Sequence, residues 1–451
     1  MLFSTDFLTK LFPNHKGVVE DDLPILQVTT DSREKTKKSL FVPLKGDSFD
    51  GHDFIKDAFT NGAVAILWEK DRKLPSFLPT QFPVFFVEDT LQALQQLAHR
   101  YRWLVNPIVI GVTGSNGKTT TKDIIGSVLE TKYKTYRTEG NYNNHIGLPL
   151  TILSMARDTE VLVVEMGMNH FGEIELLSKI ANPNFAVITN IGESHIEFLG
   201  SREGIAQAKT EIVAGLDQKG TLYIDGDERL LEGLHSNDNV VTIGFKENND
   251  LFINNYQMNA TSSSFHLDDD SFELNMLGKH NVKNAAFAIA IAKKLDVSKE
   301  QIQSALNKLT LTGMRFELIK GKNNATIIND AYNASPTSMK ASIEIIKQMT
   351  SYQKKVLVLG DMFEMGQQSQ ELHRSVVDAI SSDIDVVYTI GSDSKVISDE
   401  VAKLFPTAKS MHFDDKEKLI PQLVSILNGQ TVVLLKASRG MKLESIVEAL
   451  R

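Results

Sequence analysis

Residues 109–123 read VIGVTGSNGKTTTKD, and the fold turns on how that stretch is read. Val109 and Ile110 are branched and apolar, as expected near the end of a buried parallel strand. From Lys118 onward the segment KTTTKDIIGSVLE places its apolar positions on one helical face. A glycine-rich loop therefore joins a strand to a helix. In that geometry the loop N–H groups and the helix N-terminus aim partial positive charge at one point, and Lys118 adds a full charge. Such a point suits phosphate. The common form of the motif, G-x-x-x-x-G-K-[ST], has glycine where Val112 stands, and here Gly111 and Gly114 flank that position. The match is to the shorter form GSNGKT, with Gly114, Gly117, Lys118 and Thr119 in the key places and Ser115, Asn116 and Thr120 beside them. The plain alternative is a flexible turn whose lysine reaches solvent. The strand before it and the helix after it favour nucleotide binding.

Working outward, 451 residues are too many for one core, and domains of roughly 100–200 residues predict two to four of them. With 42% hydrophobic and 23% charged residues, and no run of about 18 apolar residues, the composition is that of a soluble globular protein without a membrane span. The opening MLFSTDFLTKLF is interrupted by Asp6 and Lys10, unlike a signal peptide. The chain contains no cysteine, which excludes disulfides, a thiol nucleophile and Cys-ligated metal, and suits the cytoplasm. A formal net charge of −9 argues against nucleic acid as a partner.

Three segments follow from the pattern. Residues 1–106 hold short strands (SLFVPL, GAVAILW, FPVFFVED) and end in the helix TLQALQQLAHRYRWLV, before Pro107 breaks the pattern. Residues 107–313 alternate strand and helix through VLVVEMG, FGEIELLSKI, FAVITNIG and EGIAQAKTEIVAGL, the grammar of a doubly wound parallel sheet. The polar, alternating stretch LFINNYQMNATSSSFHLDDDSFELNML reads as an antiparallel hairpin, ahead of the helix NVKNAAFAIAIAKKL. Residues 314–451, after the stretch LTGMRFELI, repeat the alternation in ATIIND, KVLVLGDM, DVVYTIGS and TVVLLKAS, a second Rossmann-like unit. The expected class is α/β: a small α/β N-terminal domain, a central P-loop domain and a Rossmann-like C-terminal domain.

Open α/β sheets bind ligands beyond the carboxyl ends of their strands. In the middle segment that rule brings together the phosphate loop, Glu165 at the end of VLVVE, and the loop TNIGESH with Glu193 and His195. A carboxylate and the Thr119 hydroxyl beside bound phosphates are what Mg²⁺ requires, since that ion takes oxygen ligands and bridges phosphate oxygens. His195 is a less expected neighbour, because hard cations take imidazole reluctantly and most loop histidines are surface groups.

The ordered set TGSNGKTTT, VVEMG, TNIGESH, AKTEI, GKHNVKNAAFA, GMRFE and NDAYNASPTSM resembles the Mur ligases, the ATP-dependent amide-forming enzymes of peptidoglycan precursor synthesis. Within that family TTDSREKTKKSLFVPLKGDSFDGHDF, EGNYNNHIGLPLT, VLGDMFEMG and KASRGMK are similar to the members that add D-alanyl-D-alanine to UDP-N-acetylmuramoyl-tripeptide. The resemblance implies ATP and Mg²⁺ as cofactors, those two molecules as substrates, a cytoplasmic monomer, and three domains that bind UDP, ATP and the amine. It further implies Lys118 on the phosphates, Thr119 and Glu165 on one Mg²⁺, and His195 with a carbamylated Lys209 on a second. Asn281 and Asn284 are implied beside the adenine, and Arg315 and Asp330 at the γ-phosphate and ribose. Asn143 and Asn144 are implied around the muramoyl peptide, and Asp31, Ser32, Arg33, Asp50 and His52 at the uridine diphosphate.

For the amine, KVLVL and TVVLL are apolar strands, so the loops after them face the same crevice. Arg439 offers a planar fork for a carboxylate, and Asp361 or Glu364 a partner for an ammonium group. The plainer alternative makes Arg439 a loop cap and Asp361 a helix start. Two other functions stay open: a family member adding lysine or diaminopimelate, although no Asn-Pro-Arg-type motif is present in the third segment, and a nucleotide-binding protein without ligase chemistry.

Overall fold

The computed structural model describes residues 1–19, 22–309 and 313–451. Leu311 and Thr312, which open the stretch LTGMRFELI, lie outside the described residues.

The centre is a 9-stranded sheet built around Ile108–Thr113. Val161–Glu165 lies parallel on one side of it and Phe185–Ile188 parallel on the other, each a fully buried run. Continuous apolar strands of this kind need cover on both faces, which the flanking helices provide. Because the chain leaves Ile108–Thr113 towards one side and later returns on the other, its carboxyl end is a topological switch point. Thr221–Asp225 and Val240–Gly244 extend the parallel part.

The expected hairpin is a three-stranded meander. Leu251–Met258 runs parallel to Val240–Gly244, Ser263–Leu267 runs antiparallel to Leu251–Met258, and Asp270–Leu274 runs antiparallel to Ser263–Leu267. The extra turn sits at Asp268, whose backbone is left-handed (φ 53°), a conformation Asp tolerates better than most residues. Phe265 and Phe272 are buried in the same core as the apolar residues of the helix Lys279–Lys294.

The N-terminal segment forms a 5-stranded sheet, mostly parallel, ending in the helix Thr90–Val105. That helix is fixed to the central unit. Tyr101 donates to the Met155 carbonyl at 2.9 Å, and the buried Arg102 donates to the carbonyls of Ala181 and Asn182 at 3.0 Å each. These carbonyls close the helix Glu173–Ala181, where a cation complements the helix dipole. The C-terminal segment is a 6-stranded sheet in which Thr431–Lys436 lies between Thr326–Asn329 and Lys354–Gly360, all parallel, with Glu317–Lys320 antiparallel at the edge. Among the described residues no helix is long and apolar enough to cross a membrane.

Candidate active site

The phosphate loop is shaped by its glycines. Gly114 has φ +148° and Gly117 φ +79°, and a Cβ on Gly114 would stand 1.8 Å from Thr189 Oγ1. A Cβ on Gly117 would stand 2.8 Å from Asn284 Oδ1. The loop is thus packed against the next strand's loop and against the helix Lys279–Lys294, with no room for side chains. The Asn116 carbonyl accepts from Thr189 Oγ1 at 2.6 Å and from Asn190 Nδ2 at 2.9 Å, while Asn190 Oδ1 accepts from Asn116 N at 3.0 Å. Gly117 caps the helix Lys118–Leu129, so the N–H groups of its first turn have no partner within the helix.

Lys118 Nζ donates to the Gly114 carbonyl at 2.8 Å. Burial pushes its pKa down, Glu165 pulls it up, and Arg315 pushes it down. Thr119 Oγ1 donates to Glu165 Oε2 at 2.7 Å, and Asn143 Nδ2 donates to Glu165 Oε1 at 2.8 Å. Asn144 instead accepts from the N–H groups of Ile146 and Gly147 at the start of a helix.

The third segment closes one side. Arg315 Nη2 donates to Thr119 Oγ1 at 2.8 Å, and its guanidinium lies 4.1 Å from the centre of the Tyr332 ring. Asp330, at the end of Thr326–Asn329, pairs with Lys436 at 2.7 Å and accepts from Ser342 Oγ at 2.7 Å. Glu193 accepts from Thr337 N at 3.1 Å and from Thr337 Oγ1 at 2.8 Å, so the carboxylate sits on the N-terminus of the helix Pro336–Gln348. Apart from Glu193, these groups line a cleft of about 470 Å³ that also contains His195, Asn281 and Asn284.

Lys209, on the helix Arg202–Thr210, is 2% exposed, and its side chain has no hydrogen-bond or ion-pair partner among the described residues. Burial holds its pKa well below the ordinary value, and the charge of Lys118 lowers it further.

Other expected site residues stand elsewhere. Arg33 pairs with Asp31 through two contacts of 2.8 and 2.7 Å, which brings the Asp31 carboxyl down to about 2. Ser32 is buried, and its carbonyl accepts from Asn61. Asp50 accepts from His52 N and Nδ1 and from Arg72, and His52 is buried edge-on against Trp68. None of these five lines the cleft.

Asp361, expected as a partner for an amine, follows the strand Lys354–Gly360. Its carboxylate accepts from the backbone N–H groups of Ser392, Asp393 and Ser394 at 2.8–3.1 Å, so it ties two strand-end loops together. Arg439 is 53% exposed and pairs with Glu444 at 3.1 Å, outside the cleft.

Lys436, Tyr332 and Asn190 are cleft residues that the sequence reading passed over. Lys436 had a signal: it opens the motif KASRGMK at the end of a buried strand.

Family models match most of the chain. The Mur ligase middle domain matches residues 112–292, the description "Mur ligase, glutamate ligase domain" matches 314–439, and "Mur ligase family, catalytic domain" matches 24–102. The UDP-N-acetylmuramoyl-tripeptide–D-alanyl-D-alanine ligase of Bacillus subtilis (strain 168) is 47% identical over 94% of this chain and 92% of its own length. The Escherichia coli (strain K12) protein of the same name is 33% identical over 95% and 94%. Among solved structures, MurF from Acinetobacter baumannii is similar with a TM-score of 0.86 at 30% identity, over 99% of this chain and 98% of that one. MurF from Thermotoga maritima in complex with ADP has a TM-score of 0.83 at 31% identity, over 94% and 96%.

Proposed function

This chain belongs to the Mur ligase family, and we propose that it is the cytoplasmic ATP-dependent ligase that joins D-alanyl-D-alanine to UDP-N-acetylmuramoyl-tripeptide. The observation that carries the chemistry is the reach of Arg315 from the third segment to Thr119 of the phosphate loop. It puts the segment read as the amine carrier against the nucleotide cleft.

A carboxylate is a poor electrophile in water. Transfer of the ATP γ-phosphoryl group to the terminal carboxylate of the tripeptide turns it into an acyl phosphate. The dipeptide amine then attacks the carbonyl, the C–O bond to phosphate breaks, and inorganic phosphate leaves. Phosphoryl transfer depends mainly on positioning and on neutralising charge. In this reading Lys118 leaves the Gly114 carbonyl for the β- and γ-phosphates, the N–H groups at the start of Lys118–Leu129 hold phosphate oxygens, and Arg315 faces the γ-phosphate. Asn281 and Asn284 flank the adenine, Asp330 the ribose, and Asn143 and Asn144 the muramoyl peptide. Asp31, Ser32, Arg33, Asp50 and His52 belong to the uridine-diphosphate region, away from the chemistry.

The donor set fits Mg²⁺. The Thr119 hydroxyl and Glu165 carboxylate are two adjacent oxygen ligands, and phosphate oxygens and water are the usual complement. Magnesium bound there supplies neutralisation of the phosphate charge. His195 and Lys209 are the residues for a second ion. Lys209 fits as a carbamate because its depressed pKa leaves a neutral amine free to add carbon dioxide with loss of a proton. The product is an anionic oxygen ligand where an ammonium ion would repel the metal.

The acyl-phosphate route is tested with ¹⁸O in the terminal carboxylate of the tripeptide. One label in each released phosphate is expected. Unlabelled phosphate overturns the mechanism.

A further inference from the structure

His195 and Glu364 face each other across the junction of the central and C-terminal units, with His195 Nδ1 2.6 Å from Glu364 Oε2. His195 lies in the loop after Phe185–Ile188, and Glu364 in the loop after Lys354–Gly360. Both hold left-handed backbone conformations, φ 67° and φ 61°, which a residue with a side chain adopts only where its surroundings impose it.

Those surroundings are visible. Asp361 clamps the loop to Ser392–Ser394, Met362 N donates to the buried His373 Nε2 at 2.9 Å, and Phe363 N donates to Ser438 Oγ at 2.8 Å. Glu364 itself contributes its carbonyl to Glu197 N at 3.2 Å. The loop is therefore fixed on the C-terminal side and docked on the central side, and the carboxylate is presented at a fixed place. The short contact to His195 is not aligned as a hydrogen bond in this conformation, and Nδ1 has no other partner among the described residues.

The two residues also divide two spaces. His195 lines the nucleotide cleft, whereas Glu364 lines a neighbouring cavity of about 750 Å³ walled by Ile196, Met362 and Gly366. The imidazole thus meets the carboxylate on one side and the cleft on the other. A histidine that binds a metal through one ring nitrogen commonly has the other held by a carboxylate, which fixes ring orientation and tautomer and raises basicity.

We propose that Glu364 is a positioning residue for His195. Delivered by the C-terminal unit, its carboxylate holds Nδ1 and leaves Nε2 for a divalent cation in the cleft, so the site is completed only when the two units are together. The inference rests on the reading of His195 as a metal residue.

The test is a titration with Mn²⁺ followed by electron paramagnetic resonance of the free ion. It uses the full chain with a non-hydrolysable ATP analogue and UDP-N-acetylmuramoyl-tripeptide. The unmodified protein binds two ions, and His195→Ala abolishes the second. Glu364→Ala weakens the second about 10–100-fold and leaves the first ion and the nucleotide affinity unchanged. Glu364→Gln, which keeps the size and an acceptor oxygen, weakens it less. Unchanged binding of the second ion by Glu364→Ala overturns the proposal for Glu364 alone. Two ions bound by His195→Ala, or only one by the unmodified protein, overturns both this inference and the metal role of His195.

Discussion

Thr119 and Glu165 are joined by a 2.7 Å hydrogen bond, although one opens a helix and the other ends the neighbouring strand. The register explains the meeting. Glu165 pairs with Val112, so the strand that feeds the phosphate loop and the strand that carries the carboxylate end at the same level. Arg315 adds a donor to the same hydroxyl from the third segment. A phosphate loop, an acid and a cation from the C-terminal segment are thereby held around one hydroxyl.

Lys118→Ala is expected to lower turnover by at least about 10²–10³-fold, the scale for losing one fixed charge-stabilising group. Its ammonium group is held below its ordinary pKa by burial. Removing it therefore leaves the melting temperature unchanged or raised. Phosphate release and thermal unfolding measured together check this, and near-normal turnover removes the nucleotide assignment.

Lys209→Ala is expected to be nearly inactive and partly restored by small carboxylic acids that supply the missing anionic oxygens. A lysine with only a packing role shows no such restoration. The mass of the intact active protein, measured without acid, gives an independent check: a carbamate adds the mass of carbon dioxide.

Asp50 links acid stability to the N-terminal sheet. Burial raises its carboxyl, but hydrogen bonds from His52 and Arg72 outweigh burial and bring it down to about 2. A lowered folded pKa means that the stabilisation is complete above the ordinary value near 4 and is lost as pH falls towards 2. Its size is at most about 2 kcal/mol. Asp50→Asn is expected to lose about that stability at pH 7, with the difference from the unmodified protein vanishing near pH 2. Urea unfolding of both proteins between pH 7 and 2 measures it.

Arg439→Ala separates two roles. If Arg439 holds the dipeptide carboxylate after exchanging its Glu444 partner, the dipeptide KM rises more than about tenfold and the ATP KM stays unchanged. A residue that only ties Glu444 changes neither. Steady-state kinetics with each substrate varied in turn decides between them.

The legible part of this protein lies at strand ends. Gly114, Lys118, Thr119, Glu165 and His195 each end an apolar strand or lie in the loop or helix start that follows one, so reading those runs as buried strands and applying the switch-point rule places them in one crevice without any knowledge of the third dimension. Asp361 follows an apolar run as well, yet its carboxylate is consumed by N–H groups of Ser392–Ser394 on another strand's loop. No local pattern announces such partners. Tyr332 and Lys436 escaped for a related reason: their place depends on how the C-terminal unit sits over the cleft, and that is set by contacts such as Glu193 with Thr337. The meander has one strand more than the sequence pattern predicts because Asp268 makes its turn without glycine or proline.

The identity of the amine decides the assignment. The direct measurement incubates the full chain with ATP, Mg²⁺ and UDP-N-acetylmuramoyl-tripeptide against D-alanyl-D-alanine, lysine and diaminopimelate, and records phosphate release and product mass. Phosphate release is expected to depend on D-alanyl-D-alanine, with a product heavier by the dipeptide less one water. Equal or faster turnover with lysine or diaminopimelate, or phosphate release that needs no amine, would contradict it.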